Sequence, residues 1–133
     1  MKHQKVAVIV WTIDQEGNRR FLLRHNKPFD GYEDEWTIAF GDIEDESLED
    51  AAKRETAEEY GIKDIEETKN LNYKIEFKGK HGQTEAHFVS IKIGDINLPV
   101  QLNEESIGYD WMVLDKVNEI MKHEDEKKAF LLI

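Results

Sequence analysis

The segment GDIEDESLEDAAKRETAEEYGI, residues 41–62, decides how this chain is read. Ser47 is a good helix N-cap, and Asp50 follows three positions later in a capping-box-like place. Gly61 suits the left-handed position that ends a helix, with Ile62 behind it for a hydrophobic contact. These signals predict a helix from about Leu48 to Tyr60. On that helix Glu55, Glu58 and Glu59 stand at i, i+3 and i+4 and share one side. Leu48, Ala51 and Ala52 project on the same side, while Glu49, Asp50, Lys53, Arg54 and Ala57 occupy the opposite arc. The glutamates therefore extend the apolar stripe that should face the protein body.

A solvated acidic face is the plain alternative, since charge runs usually lie on the surface. It fits these positions poorly. Like charges at this spacing repel by a few tenths of a kcal/mol per pair. Half-buried carboxylates cost more unless they are paired or metal-bound, and a helix C-terminus disfavours negative charge. A compensating cation removes all three penalties. Hard oxygen donors with no cysteine in the chain favour Mg²⁺ or Mn²⁺. Such ions neutralise phosphate oxygens and lower the pKa of bound water, and a carboxylate left free can act as base.

Outward from this helix, residues 5–11 (KVAVIVW) read as a buried strand and residues 19–25 (RRFLLRH) as its hairpin return across the turn at residues 14–18. A polar loop containing Pro28, Asp30 and Gly31 leads to a short strand from Trp36 to Phe40. Beyond the helix, Leu71, Tyr73, Ile75 and Phe77 alternate with polar residues in a half-buried strand. A turn at residues 79–82 leads to a partner over residues 84–93, with Val89, Ile91 and Ile93 set against Ser90 and Lys92. Residues 108–113 read as a last strand. Residues 115–132 read as helical, with a break near His123 and Glu124. Strands interleaved with helices give an α/β fold with a mixed sheet.

The 133 residues suit one domain spanning residues 1–133. No apolar run reaches membrane-spanning length, the start does not read as a signal peptide, and cysteine is absent, so a cytoplasmic protein is expected. A net charge of −11 disfavours a nucleic-acid polymer as partner. An acidic protein can still take a small polyanion when metal cations sit between the two. The oligomeric state is left open, a homodimer among the options.

The quoted segment resembles the Nudix box, G-x5-E-x7-R-E-U-x-E-E-x-G-U, where U is a bulky aliphatic residue. Glu46, Arg54-Glu55, Glu58-Glu59 and Gly61-Ile62 match it in register. The flanking RRFLLRH, WTIAFGDIE and SIGYDWM look like the family's strands on either side. Three departures stand out. Four residues rather than five separate Gly41 from Glu46, Phe40-Gly41 replaces the usual Gly-Gly pair, and Thr56 takes a normally aliphatic position. The resemblance implies a Nudix-type α/β/α sandwich with the box as a loop-helix-loop. It also implies a metal-dependent pyrophosphohydrolase that cleaves a nucleoside diphosphate linked to a second group, X.

Site roles carry over from the resemblance residue by residue. Glu58 and Glu59 match the metal-binding pair. Glu55 matches a carboxylate that binds metal or helps activate water, and the Gly41 carbonyl is a further candidate ligand. Arg54 would orient Glu46, or else form an exposed ion pair with Asp50 or Glu58. Glu105, ahead of Trp111, is a candidate base or metal ligand, or an ordinary loop charge. Arg24, Trp36 and Phe40 are candidate substrate contacts. Arg19, Arg20, Lys27 and Lys74 could meet phosphate, and Tyr32 and Phe88 could stack on a base. The substrate branch is read as nucleoside triphosphates or dinucleoside polyphosphates. The alternative is a catalytically weak nucleotide-binding domain, suggested by the shortened loop.

Overall fold

A computed structural model describes residues 1–28 and 33–133; Tyr32, Asp30 and Gly31 lie outside the described residues. The elements run β1 (His3–Ile13), β2 (Arg19–Asn26), β3 (Glu35–Thr37), β4 (Ala39–Asp42), α1 (Leu48–Tyr60), β5 (Glu67–Gly79), β6 (Gly82–Lys92), β7 (Ser106–Met112), α2 (Leu114–Ile120) and α3 (Glu124–Phe130). The seven strands form one mixed sheet. β1 lies at its centre, paired in parallel with β6 along one edge. Its other edge is shared: residues 5–8 pair with β4 and residues 11–13 with β2, both antiparallel.

The run Val6-Ala7-Val8-Ile9-Val10 in β1 is fully buried because both faces of the sheet are covered. On one face Val6, Val8, Val10, Val89 and Ile91 meet Ala51, Ala52 and Tyr60 of α1. On the other, Ala7, Ile9, Phe21 and Phe88 meet Val117 of α2, Met121, and Ala129 and Phe130 of α3. This is the expected α/β/α sandwich. Among the described residues no helix is long and apolar enough to cross a membrane.

Two sequence expectations need correction. The strand read over Trp36–Phe40 is two strands broken at Ile38, one paired with β2 and the other with β1. The change of partner displaces the chain sideways, a tertiary demand that alternation does not reveal. Ser90, set against Val89 and Ile91 in the alternating reading, is buried as they are because β6 lies inside the sandwich. The C-terminal helical segment is two short helices separated by Met121, Lys122 and His123, close to the expected break.

The ends of α1 are set by the residues that the sequence marks. Ser47 Oγ accepts from the Asp50 amide at 3.1 Å, and Gly61 adopts φ 67°, the left-handed conformation glycine enters without steric cost. Thr56, polar where the box pattern is aliphatic, is fully buried and donates its hydroxyl to the Ala52 carbonyl at 2.8 Å. The bond lets a hydroxyl occupy an apolar position without an unsatisfied donor.

Candidate active site

The inward end of α1 rests on β4. Glu55 is only 5% exposed, and its carboxyl lies directly over Gly41. A Cβ at Gly41 would sit 1.9 Å from Glu55 Cδ, so no side chain is compatible with that approach. Arg54 fastens the region from the side. Its Nε donates to Glu46 Oε1 at 3.0 Å and to Oε2 at 3.2 Å, and its Nη2 donates to Glu46 Oε1 at 2.6 Å. Nη1 reaches Glu55 Oε1 at 3.0 Å, and Nη2 also donates to the Asp42 carbonyl at 2.7 Å. One guanidinium thus ties the shortened loop, the end of β4 and the helix together by charge-assisted bonds. The shorter loop still delivers Glu46 to Arg54, the pairing expected from the box.

Glu59 faces the strand side of the helix. Its Oε2 accepts from Arg24 Nη1 at 3.0 Å and from Asn103 Nδ2 at 2.6 Å. Glu58 departs from the expectation of a common inward face. Its side chain is 56% exposed and meets Arg54 Nη1 at 3.3 Å. The buried arc of α1 runs through Ala51, Ala52, Glu55, Thr56 and Tyr60, which leaves Glu58 on the rim. Glu105 is exposed on the loop before β7, yet close enough for its charge to act on Glu59.

Hydrogen bonds among the described residues engage Oε1 of Glu55, Oε2 of Glu58 and Oε2 of Glu59. The other carboxylate oxygens remain as hard donors. Arg54 Nη1 bridges Glu55 and Glu58, whereas Glu59 turns to Arg24 and Asn103. Among the described residues the group of three metal-ligand side chains with atoms within 4.8 Å of one another is His3, Asp42 and His81.

Arg24 also lines a cleft of about 620 Å³ on the opposite side from α1's core, walled by Phe40, Ile75 and Phe77 and edged by Lys5, Asn26 and Glu126. This volume falls in the range of small-molecule sites. Buried Arg24 Nε and Asn26 Oδ1 have no hydrogen-bond partner among the described residues. Of the expected substrate contacts, Phe40 and Arg24 are in the cleft wall. Trp36 is not among its lining residues; it stacks on His25 with centroids 4.6 Å apart and planes 9° apart.

The remaining candidates, Lys27 apart, are otherwise engaged. Arg19 donates to the Ile133 carbonyl, Arg20 pairs with Asp14, Lys74 pairs with Glu85, and Phe88 is fully buried. Lys27 borders a separate hollow with Glu104 and Glu105. Sequence reasoning missed Glu126. It lies in a charged helix, EDEKKAF, where nothing local separates one buried acid from its exposed neighbours.

Electrostatics distinguish these acids. Burial, reinforced by Glu58 and Glu59 and opposed by Arg54, pushes the Glu55 carboxyl up to about 7. Burial likewise raises Glu59, against the pull of Arg24, and lifts Glu126 to about 7. Glu46 moves the other way because Arg54 hydrogen-bonds its charged form. Glu55 and Glu126 therefore keep protons in the folded state after the unfolded chain has released them. Stability then falls as pH rises from about 4.5 towards about 7 and levels beyond. Thermal melts of metal-stripped protein should show Tm declining across that window; a rising Tm would contradict the burial of these charges.

A family model described as NUDIX domain matches residues 3–132. The fold is similar to that of the Ap4A hydrolase of C. elegans in a binary complex, with 20% identity, TM-score 0.77, and coverage of 98% of this chain and 93% of that one. It is also similar to the E. coli dihydroneopterin triphosphate pyrophosphohydrolase, at 16% identity, TM-score 0.75 and coverage of 97% and 94%. The MutT protein from Methanosarcina mazei Go1 is 22% identical with TM-score 0.70, covering 98% and 92%. At these identities the likeness concerns the fold. No curated protein sequence matches the chain.

Proposed function

Because this chain belongs to the Nudix family, we propose that it is a metal-dependent pyrophosphohydrolase cleaving a nucleoside diphosphate linked to X, with a (deoxy)nucleoside triphosphate or a dinucleoside polyphosphate as the substrate class. The observation that carries this reading is the inward setting of Glu55 and Glu59, joined to the cleft through the Arg24–Glu59 pair at 3.0 Å.

The donor set suits a hard divalent cation, Mg²⁺ or Mn²⁺. Glu55, Glu58 and Glu59 would hold it, with the Gly41 carbonyl a candidate ligand. When bound, the ion supplies charge neutralisation at the phosphates and a more acidic water. The chain's own residues do the rest. Arg54 fixes Glu55 and Glu46 in place. Glu55, set over β4 and held by Arg54, would bind the ion or help activate water, with Glu105 and Glu58 as further candidates for the second role. Arg24 orients Glu59 and offers the cleft a positive charge.

The cleft is assigned to the nucleoside end. Phe40 and Phe77 offer apolar contact to a base, and Asn26 Oδ1 and the Glu126 carboxyl offer polar contact. The catalytically weak alternative loses its main support, since the shortened loop still closes onto Arg54. A panel of nucleotides with Mg²⁺, with products resolved, tests the proposal; no turnover of any nucleotide would defeat it. On the best substrate, Glu126→Gln should raise KM by about tenfold, a loss of about 1.4 kcal/mol, with kcat little changed. A changed kcat at constant KM would remove Glu126 from the nucleoside end.

A further inference from the structure

We propose that His3, Asp42 and His81 form a binding site for a borderline transition-metal ion such as Zn²⁺, Ni²⁺ or Co²⁺, separate from the glutamate cluster. The three residues come from different parts of the chain. His3 opens β1, Asp42 ends β4, and His81 sits in the turn between β5 and β6. The sheet brings them together, since Lys5 of β1 is paired with Asp42 and His3 lies two residues away on the same face. Gly82, at φ 92°, sets the turn that carries His81.

The side chains already converge. His3 Nε2 lies 2.8 Å from Asp42 Oδ1, and the His3 and His81 rings are 4.7 Å apart and tilted by 46°. One ligand atom from each residue falls within 4.8 Å of the others. Ligands about 2.0–2.1 Å from a tetrahedral ion stand roughly 3.3 Å apart. A small rotation of exposed His81, which makes no hydrogen bond among the described residues, closes the difference.

The donor chemistry separates this site from the other one. Two imidazoles and one carboxylate favour Zn²⁺, Ni²⁺ or Co²⁺ over Mg²⁺, whereas an all-oxygen set suits Mg²⁺. Three protein ligands leave a position for water. The charge already on the site is modest: Lys5 Nζ stands 3.7 Å from Asp42 Oδ1, and a divalent ion would take its place. Asp42 also links the site to the box, because its carbonyl accepts from Arg54 Nη2 at 2.7 Å. An ion there would pin the end of β4 from which the box loop departs.

The test uses the full chain, stripped of metal and then saturated with Mg²⁺. Titration with Co²⁺ should give visible absorption bands of an imidazole-bound ion, which Zn²⁺ then displaces. His81→Gln and His3→Gln should each weaken Co²⁺ binding by about tenfold or more and remove the bands. Glu59→Gln should retain them. Both histidines lie on the periphery, and circular dichroism checks that each variant folds; if one does not, the other decides. Absence of Co²⁺ bands in the parent chain, or equal binding by the histidine variants, would overturn the proposal. Loss of the bands in Glu59→Gln alone would place the ion on the glutamates and overturn it equally.

Discussion

Replacing Glu59 by glutamine is expected to lower kcat by about two to three orders of magnitude, the loss of several kcal/mol of metal-derived stabilisation, while the fold survives. Glutamine keeps the volume and one carbonyl oxygen, so Asn103 Nδ2 retains an acceptor at the position it now reaches at 2.6 Å. What disappears is the negative charge that Arg24 faces at 3.0 Å and that a bound cation would need. The rise in Tm on adding Mg²⁺ should shrink with it, because that rise follows ligand affinity by mass action. Steady-state kinetics, circular dichroism and melts with and without Mg²⁺ check the three parts. Near-normal turnover with an unchanged Mg²⁺ response would show that Glu59 is not a metal ligand.

Gly41→Ala is the second large effect, and it isolates positioning from charge. The added Cβ would lie 1.9 Å from Glu55 Cδ, 2.1 Å from Oε1 and 2.4 Å from Cγ. Glu55 is buried, so the whole end of its side chain must leave its site and give up the 3.0 Å bond from Arg54. Overpacking of this kind costs about 1–3 kcal/mol, a drop in Tm of several degrees, and activity should fall by about a hundredfold as the carboxyl is misplaced. Gly108→Ala is the control: nothing lies within 4 Å of its added Cβ, so both quantities should hold. The double variant Gly41→Ala/Glu55→Ala should recover the lost stability without recovering activity. If Gly41→Ala alone behaves like Gly108→Ala, Glu55 does not need its place over β4.

What the residues of α1 settled locally was legible because the determinants are local. Ser47, Asp50 and Gly61 act on backbone groups within one turn, and they fix the helix ends wherever the helix packs. The Arg54–Glu46 pairing is the one that the box resemblance implies. Helical spacing alone overreached at Glu58. It identifies neighbours on a cylinder, but it does not say which line of that cylinder touches the sheet. Thr56 and Tyr60 pack inward, and they turn the buried arc away from Glu58 and onto Glu55.

By itself the sequence determined the helix, the alternating strands and the set of acidic side chains available for chemistry, since each depends on a period or a cap within a few residues. Only the tertiary structure decided which of those acids are withdrawn from water, that Arg24 grips Glu59, that β3 and β4 take different partners, and that Glu126 reaches the cleft from the far end of the chain. These outcomes depend on desolvation and on contacts between residues far apart in sequence. Neither leaves a periodic trace along the chain, so the packed sandwich has to be in hand before they can be read.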